Sequence, residues 1–159
     1  MEVLILAPLK SILMENNVKK LIKEVLEKGY LMSLGTHDEG GVWVCDVIYI
    51  FDDEFNMYWM SKDSRRHSRA ILINSSVAGT ITVSGQGENN LGIQFEGVAE
   101  KIEGSRFDLI KKYYVKREKP EPKETDDVLG EHVWYMVKPK RIELICEEFF
   151  GFEKQIYEI

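Results

Sequence analysis

The residues that follow Gly29 constrain the fold most, because their apolar positions repeat every second residue. β-Branched and aromatic side chains alternate with other residues over short segments that turn sequences separate. The segments cover residues 30–34, 42–51, 57–60, 77–83, 93–102, 133–137 and 141–146. Strands of this length without regular helix alternation predict a small antiparallel β-barrel rather than a parallel βαβ sheet.

Three stretches favour helices that cover this barrel. The first follows a cap at Asn16-Asn17, keeps an apolar face with helical spacing from Val18 to Leu26, and stops at Gly29. The second is a short helix within residues 61–74, and the third spans residues 105–117. The fold class predicted is therefore mainly β with helical covers.

Length and charge limit the classes of function. A chain of 159 residues suits one domain, residues 1–159. It carries 21 Lys and Arg against 27 Asp and Glu, a net charge of −6. This balance disfavours nucleic acid and anionic membrane surfaces as partners.

The N-terminal segment and the two cysteines indicate in which cellular compartment the protein is found. Residues 1–8 are apolar but lack a basic region and are interrupted by Pro8, so they do not resemble a signal peptide. No window reaches the length of a membrane span. Cys45 and Cys146 are far apart in sequence and are interpreted as free thiols in a reducing compartment. We expect a cytoplasmic protein.

Residues of familiar catalytic and metal sites are scattered. His37, His67 and His132 have no metal-ligand spacing, and neither cysteine is close to a histidine in sequence. No Gly-x-Ser-x-Gly motif is present, and Cys45 has no neighbour that would activate it. The sequence predicts no metal site and identifies no catalytic side chain.

The stretch from Ser61 to Arg69, Ser-Lys-Asp-Ser-Arg-Arg-His-Ser-Arg, carries the most chemical information. It leaves a predicted strand and begins a helix, where free N–H groups and the helix dipole favour an anion. Arginine presents paired donors that match phosphate oxygens. Two interpretations remain at this point: a phosphate-binding turn, and a solvated helix cap with surface ion pairs.

Several motifs in order resemble the pyridoxamine 5'-phosphate oxidase-like FMN-binding split-barrel superfamily. The stretch from Met57 to Thr80 is similar to the family's aromatic strand, Ser-Arg-Lys-type turn, short helix and following strand. Residues 94–100, Gln-Phe-Glu-Gly-Val-Ala-Glu, resemble its Arg-x-Glu-Gly-x-x-Glu strand, and residues 137–143 resemble its last strands. The resemblance covers residues 16–157 and is nearest to a small bacterial and archaeal branch.

The resemblance implies a six-stranded antiparallel split β-barrel that forms a homodimer and holds FMN at the subunit interface. Three groups of residues would contact the flavin. The phosphate would be held by Ser61, Lys62, Ser64, Arg65 and Arg66; the ring edge would lie beside Val44, Cys45, Asp46 and Val47; and Gln94, Trp134 and the tail at residues 149–152 would complete the site, the last two from the partner. For Asp46 two alternatives stay open: a hydrogen bond to a ring nitrogen, or exposure at the barrel mouth.

Departures from the family pattern concern the substrate. Pyridoxamine-phosphate oxidases carry Arg-x-x-x-Leu-Lys where residues 43–48 read Trp-Val-Cys-Asp-Val-Ile. Their C-terminal Arg-Leu-His-x-Arg is replaced by Phe-Gly-Phe-Glu-Lys at residues 150–154. We therefore expect a substrate other than pyridoxamine phosphate.

The leading hypothesis is an FMN-dependent oxidoreductase that exchanges electrons with a small-molecule donor or acceptor, such as a nicotinamide or a reduced deazaflavin. FAD, a deazaflavin coenzyme and haem are alternative cofactors. The alternative function is a non-catalytic flavin or haem carrier, or a stress-related binding protein, on the same dimeric barrel. A third possibility is a dimeric barrel that has lost its ligand.

Overall fold

The computed structural model describes residues 3–159, with side chains from Pro8 onward. Met1 and Glu2, where the leader prediction begins, lie outside the described residues. The elements in chain order are α1 (Val3–Lys28), β1 (Leu31–Asp38), β2 (Gly41–Ile48), β3 (Ile50–Phe51), β4 (Met57–Lys62), α2 (Arg66–Ile73), β5 (Ser76–Thr82), β6 (Leu91–Ile102), α3 (Phe107–Lys116), β7 (His132–Cys146), α4 (Glu147–Phe150) and β8 (Gln155–Glu158).

The strands form one antiparallel sheet that curls into an open half-barrel. Its order is β2-β1-β5-β6-β7-β4-β3, and β8 pairs with β7. β2 and β4 approach each other in space without being hydrogen-bonded neighbours. The sheet is therefore split between these two strands, which confirms the predicted split-barrel fold.

The predicted number of six strands is wrong, since the sheet formed by the described residues contains eight. The predicted strand 42–51 divides into β2 and β3 at Tyr49, whose fully buried hydroxyl donates a hydrogen bond to the Leu26 carbonyl at 2.8 Å. The last two predicted strands are one continuous strand, β7. A register shift at Glu96 and Gly97 of β6 lies opposite Pro139, which lacks an N–H, and so allows β7 to continue. The C-terminal β8 was not predicted.

The first helix begins earlier than predicted. Asn16 and Asn17 lie inside α1 rather than capping it. The C-terminal half of α1 buries an apolar face in the barrel core, including Ile22 and Leu26. Gly29 donates to the Val25 carbonyl at 2.9 Å and ends the helix as predicted.

Two apolar cores cover the two faces of β4 and β7. Trp59 and Tyr135 stack in the barrel core with ring centres 5.6 Å apart. Their sequence neighbours face the other side because strand residues alternate. There Trp134 meets Tyr113 of α3 edge-to-face at 6.0 Å. This double coverage fixes β4 and the turn that follows it.

Within residues 3–159, no helix combines the length and the apolar character that crossing a membrane requires.

Gly79 in β5 leaves no room for a side chain. A Cβ atom there would lie 2.5 Å from the Phe95 ring and 2.5 Å from the Ser33 carbonyl oxygen. We expect Gly79→Ala to lower the free energy of unfolding by about 1–3 kcal/mol because of this overpacking. Gly85→Ala is the matched control, since a Cβ there meets nothing closer than 3.9 Å. Urea unfolding of both variants checks this, and equal stabilities would contradict it.

Candidate functional site

The basic turn, residues 61–66, connects the end of β4 to the start of α2. Arg65 has extended backbone angles, φ −71° and ψ 148°, and no side chain caps the helix. The first N–H groups of α2 therefore have no intrahelical acceptor and face outward with the positive end of the helix dipole. The turn can accept an anion at this point.

Ser64 and Arg65 are exposed in this turn. The side chain of Arg69 donates to the Ser64 carbonyl at 2.6 Å and so holds the turn from one helical turn away. None of the ion pairs found within residues 3–159 includes Arg65. Its guanidinium group is available to an external ligand.

Arg66 connects the turn to the hairpin between β1 and β2. Its guanidinium lies 4.6 Å from the ring centre of Trp43 and donates to the Gly40 carbonyl at 3.3 Å. Asp38 completes the contact as an ion pair at 3.7 Å. Arg66 therefore bridges the split between the end of β4 and the start of β2.

Ser61 is buried and its hydroxyl lies 2.8 Å from Nε2 of His67. Burial first, and then the positive charge of Arg65, lower the pKa of His67 below its ordinary value. The imidazole is thus neutral at pH 7, and Ser61 supports the helix start from beneath rather than facing solvent.

Lys62 and Asp63 have partners of their own. The Lys62 ammonium pairs with Glu131 at 2.6 Å. Asp63 accepts hydrogen bonds from the Tyr135 hydroxyl at 2.7 Å and from Lys101 at 3.1 Å, and these lower the pKa of its carboxyl group. The structure thus brings Ser64, Arg65 and Arg66 together as the open part of the turn.

The predicted segment 44–47 lies in β2 and is divided between the two faces of the sheet. Val44 and Asp46 are exposed on the outer face, whereas Cys45 and Val47 pack against the barrel core. Burial, followed by the Asp46 charge, raises the pKa of the Cys45 thiol to about 11. Cys45 is therefore protonated at pH 7, and its half-buried side chain packs against the core.

Asp46 faces solvent and accepts a hydrogen bond from the Ser33 hydroxyl at 2.6 Å. Among the strands of residues 3–159, β2 pairs with β1 alone. The backbone N–H and C=O groups on its other side are therefore free, as they are at any sheet edge. Arg66 contacts Trp43 of the same strand across the split, so it lies near this open edge.

The outer face of the sheet carries surface cavities at positions where its residues are small. Gly35 and Ala78 line a cavity of about 490 Å³ together with Val42. A neighbouring cavity of about 270 Å³ is lined by Gln94, whose side chain accepts a hydrogen bond from Lys154 at 2.6 Å. Gln94 shares the face of Asp46 but lies three strands away, about 14 Å at ordinary strand spacing.

Trp134 does not join this group. Its side chain is fully buried beneath α3, and its Nε1 donates to the Ser105 carbonyl at 2.9 Å. It presents no surface to a ligand, in its own chain or in a partner. In the tail, Phe149 and Phe152 are exposed, whereas Phe150 packs on the barrel core.

Sequence reasoning missed the contribution of the β1–β2 hairpin. Trp43 of this hairpin forms the surface on which Arg66 rests. The available signal was the hairpin register around Gly40-Gly41, which places Trp43 at the start of an edge strand.

Metal-ligating side chains do not converge in the part of the chain that the structure covers. No group of three or more His, Cys, Asp or Glu is arranged there to hold a metal ion. Cys45 and Cys146 are both free thiols.

Solved structures share this fold. General stress protein 26 from Bacillus anthracis superposes with a TM-score of 0.67 at 16% identity, over 89% of this chain and 98% of that chain. A candidate pyridoxamine 5'-phosphate oxidase from Listeria innocua gives a TM-score of 0.62 at 14% identity, over 80% of this chain and 97% of that chain. A heme binding protein from Mycobacterium smegmatis gives a TM-score of 0.66 at 14% identity, over 89% of this chain and 57% of that chain. These similarities establish the split-barrel fold of the pyridoxamine 5'-phosphate oxidase type.

Two proteins found by sequence comparison have higher sequence identity to this chain than the solved structures above. No established family profile matches the chain. The UPF0306 protein YhbP of Salmonella schwarzengrund is 30% identical over 94 residues, which is 58% of this chain and 64% of the relative. A UPF0306 protein of Enterobacter sp. strain 638 is 32% identical over 100 residues, which is 60% of this chain and 69% of the relative. On this identity and coverage, the chain belongs to the UPF0306 family.

Proposed function

We propose that this protein, as a single domain of residues 1–159, binds FMN in a cleft that a second copy of the chain completes. The phosphate would lie on the basic turn, and the isoalloxazine ring would lie beside the open edge of β2. The observation that carries the proposal is the bridge formed by Arg66, which brings the uncapped start of α2 and the exposed Arg65 next to the edge strand β2.

The residues of the turn fit a phosphate dianion. Among the described side chains, no carboxylate forms an ion pair with Arg65, and the N–H groups of the first turn of α2 point outward. Ser64 adds a hydroxyl donor beside them. Lys62 is less suited, because Glu131 neutralises it.

The residues along β2 fit a flat, polar-edged ring. Exposed Val44 offers an apolar contact, and the free backbone groups of the edge offer donors and acceptors. Cys45 and Val47 would act through the backbone alone, since their side chains point to the core. Bound flavin would supply electron transfer, and the chain would hold and orient it.

A second copy would cover the outer face. Val42 and Val44 of this face are 73% and 60% exposed, and Phe152 of the tail is 81% exposed. Exposed apolar surface of this kind is typical of protein interfaces. Within one chain, Gln94 lies too far from β2 to reach a ring bound there. In a homodimer, Gln94 or the C-terminal tail of the second copy would complete the cleft.

We further propose an oxidoreductase whose partner is a small-molecule electron donor or acceptor. The free thiols fit a reducing compartment such as the cytoplasm. A yellow protein that releases FMN on acid treatment, identified by its mass, would support the proposal. A colourless protein that does not bind added FMN, FAD or deazaflavin would overturn it.

One observation favours haem as the second candidate. Nδ1 of His132 lies 3.1 Å from the Leu129 carbonyl, which would orient the ring and leave Nε2 free on an exposed residue. A Soret band that disappears in His132→Ala would support a haem carrier, whereas a flavin spectrum that survives this substitution would exclude it.

Arg65→Ala should weaken FMN binding by about 10- to 100-fold, because a charged hydrogen bond to phosphate is worth about 1.5–3 kcal/mol. Riboflavin, which lacks the phosphate, should bind both proteins equally. Arg117→Ala is the matched control, since Arg117 lies beside Tyr113 of α3, outside the turn. Flavin fluorescence titration measures the FMN and riboflavin affinities of the wild type and of both variants. Equal FMN affinity in Arg65→Ala and the wild type would contradict the assignment.

His67 should report on the phosphate through its own titration. In the free protein its pKa lies below the ordinary value, because burial and Arg65 disfavour the imidazolium. Bound FMN adds negative charge and should therefore raise this pKa, and Arg65→Ala should raise it as well. NMR titration of the His67 ring protons, with and without FMN, measures the shift. An unchanged pKa with FMN bound would place the phosphate elsewhere.

A further inference from the structure

A cavity of about 630 Å³ lies between the C-terminal end of α1, β3 and α3. Small-molecule sites in proteins usually occupy about 300–1,000 Å³. None of the residues that line this groove belongs to the basic turn or to β2. It is therefore separate from the proposed flavin site.

The walls of the groove are apolar and partly aromatic. Leu26 of α1 and Ile50 of β3 lie on one side, beside the ring of Phe51. Tyr114 and Val115 of α3 line the other side, and Val115 is 77% exposed. Aromatic walls favour edge-to-face or offset stacking with another ring.

The charges around these walls are mostly positive. Four lysines line the groove against two acids: Lys111, Lys112, Lys116, Lys119, Glu27 and Glu121. No ion pair found within residues 3–159 joins any of these lysines to a carboxylate. A local excess of cations in a chain of net charge −6 indicates an anionic ligand.

Lys116 is the most deeply placed of the four. Its ammonium lies 3.4 Å from the ring centre of Tyr49, a fully buried residue. Burial lowers the pKa of Lys116 to about 8, because the charged form has lost part of its hydration. An anion in the groove would restore this lost stabilisation.

We propose that the groove binds an aromatic monocarboxylate, with the carboxylate at the Lys116 ammonium and the ring between Phe51 and Tyr114. The apolar walls select a ligand that is mostly hydrophobic. Glu27 and Glu121 at the same groove disfavour ligands of higher negative charge. This site lies beyond the proposed flavin function and does not depend on it.

The probe for this site is 2-naphthoate, titrated by calorimetry into the full-length protein at pH 7. We expect saturable binding, and about tenfold weaker binding of 2-naphthamide, which has the same shape without the charge. Lys116→Met, which keeps the apolar stem, should weaken 2-naphthoate binding by a similar factor. Lys19→Met is the matched control, because Lys19 is exposed on α1 and lines no cavity described above.

Three results would overturn the proposal: no 2-naphthoate binding at millimolar concentration, equal binding of the amide, or unchanged affinity in Lys116→Met. Circular dichroism and thermal unfolding show whether this variant is folded. If Lys116→Met does not fold, Phe51→Leu provides the second test, since it removes an aromatic wall and should weaken 2-naphthoate binding severalfold.

The affinity should also depend on pH. The charged or titratable groups that line the groove with Lys116 are Glu27, Lys111, Lys112, Tyr114, Lys119 and Glu121, and the ring of Tyr49 lies under its ammonium. Lys116 loses its proton as the pH rises through about 8, while burial raises the pKa of Tyr49 and keeps it neutral. Affinity for 2-naphthoate should therefore fall between pH 7 and pH 9.5, and fall less in Lys116→Met. The same pH dependence in both proteins would contradict the role of Lys116.

Discussion

The pairing of β4 with β7 is the constraint on which the remaining structure depends. Both strands bury side chains on both faces, with the Trp59–Tyr135 stack on one side and Trp134 on the other. Strands covered in this way have little freedom to slip, because a one-residue shift would exchange the two cores. The basic turn is held in place by the same strands, since the Tyr135 hydroxyl of β7 donates a hydrogen bond to Asp63 within the turn.

Local patterns allowed much of the fold to be predicted. Period-two alternation located most strands, and Gly29 correctly marked the end of α1. The strand count was wrong because it depends on long-range contacts: the Tyr49 hydroxyl reaches α1, and the bulge in β6 accommodates Pro139. Neither contact is visible in the local sequence. The cap predicted at Asn16-Asn17 was wrong for another reason, because the helical pattern continues upstream of it.

The candidate site was predictable to the extent that it lies in one continuous stretch. Ser64, Arg65 and Arg66 follow one another, and the structure presents all three at the start of α2. The segment 44–47 is contiguous as well, but alternation along β2 divides its side chains between solvent and core. Trp134 was selected by resemblance alone, and the burial of both faces of β7 removes it from the surface. Contacts across the split, such as Arg66 on Trp43, depend on the curl of the whole sheet.

The C-terminal strand has a consequence for how the molecule behaves in a crowded solution. β4 pairs with β7 only over Met57–Lys62, so the second half of β7 would present open hydrogen-bonding groups on that side. β8 occupies part of this stretch, opposite Arg141 to Leu144. Unprotected strand edges are templates on which chains add to one another. β8 thus covers the β7 edge opposite Arg141 to Leu144 and hinders a second chain from adding to β7 there.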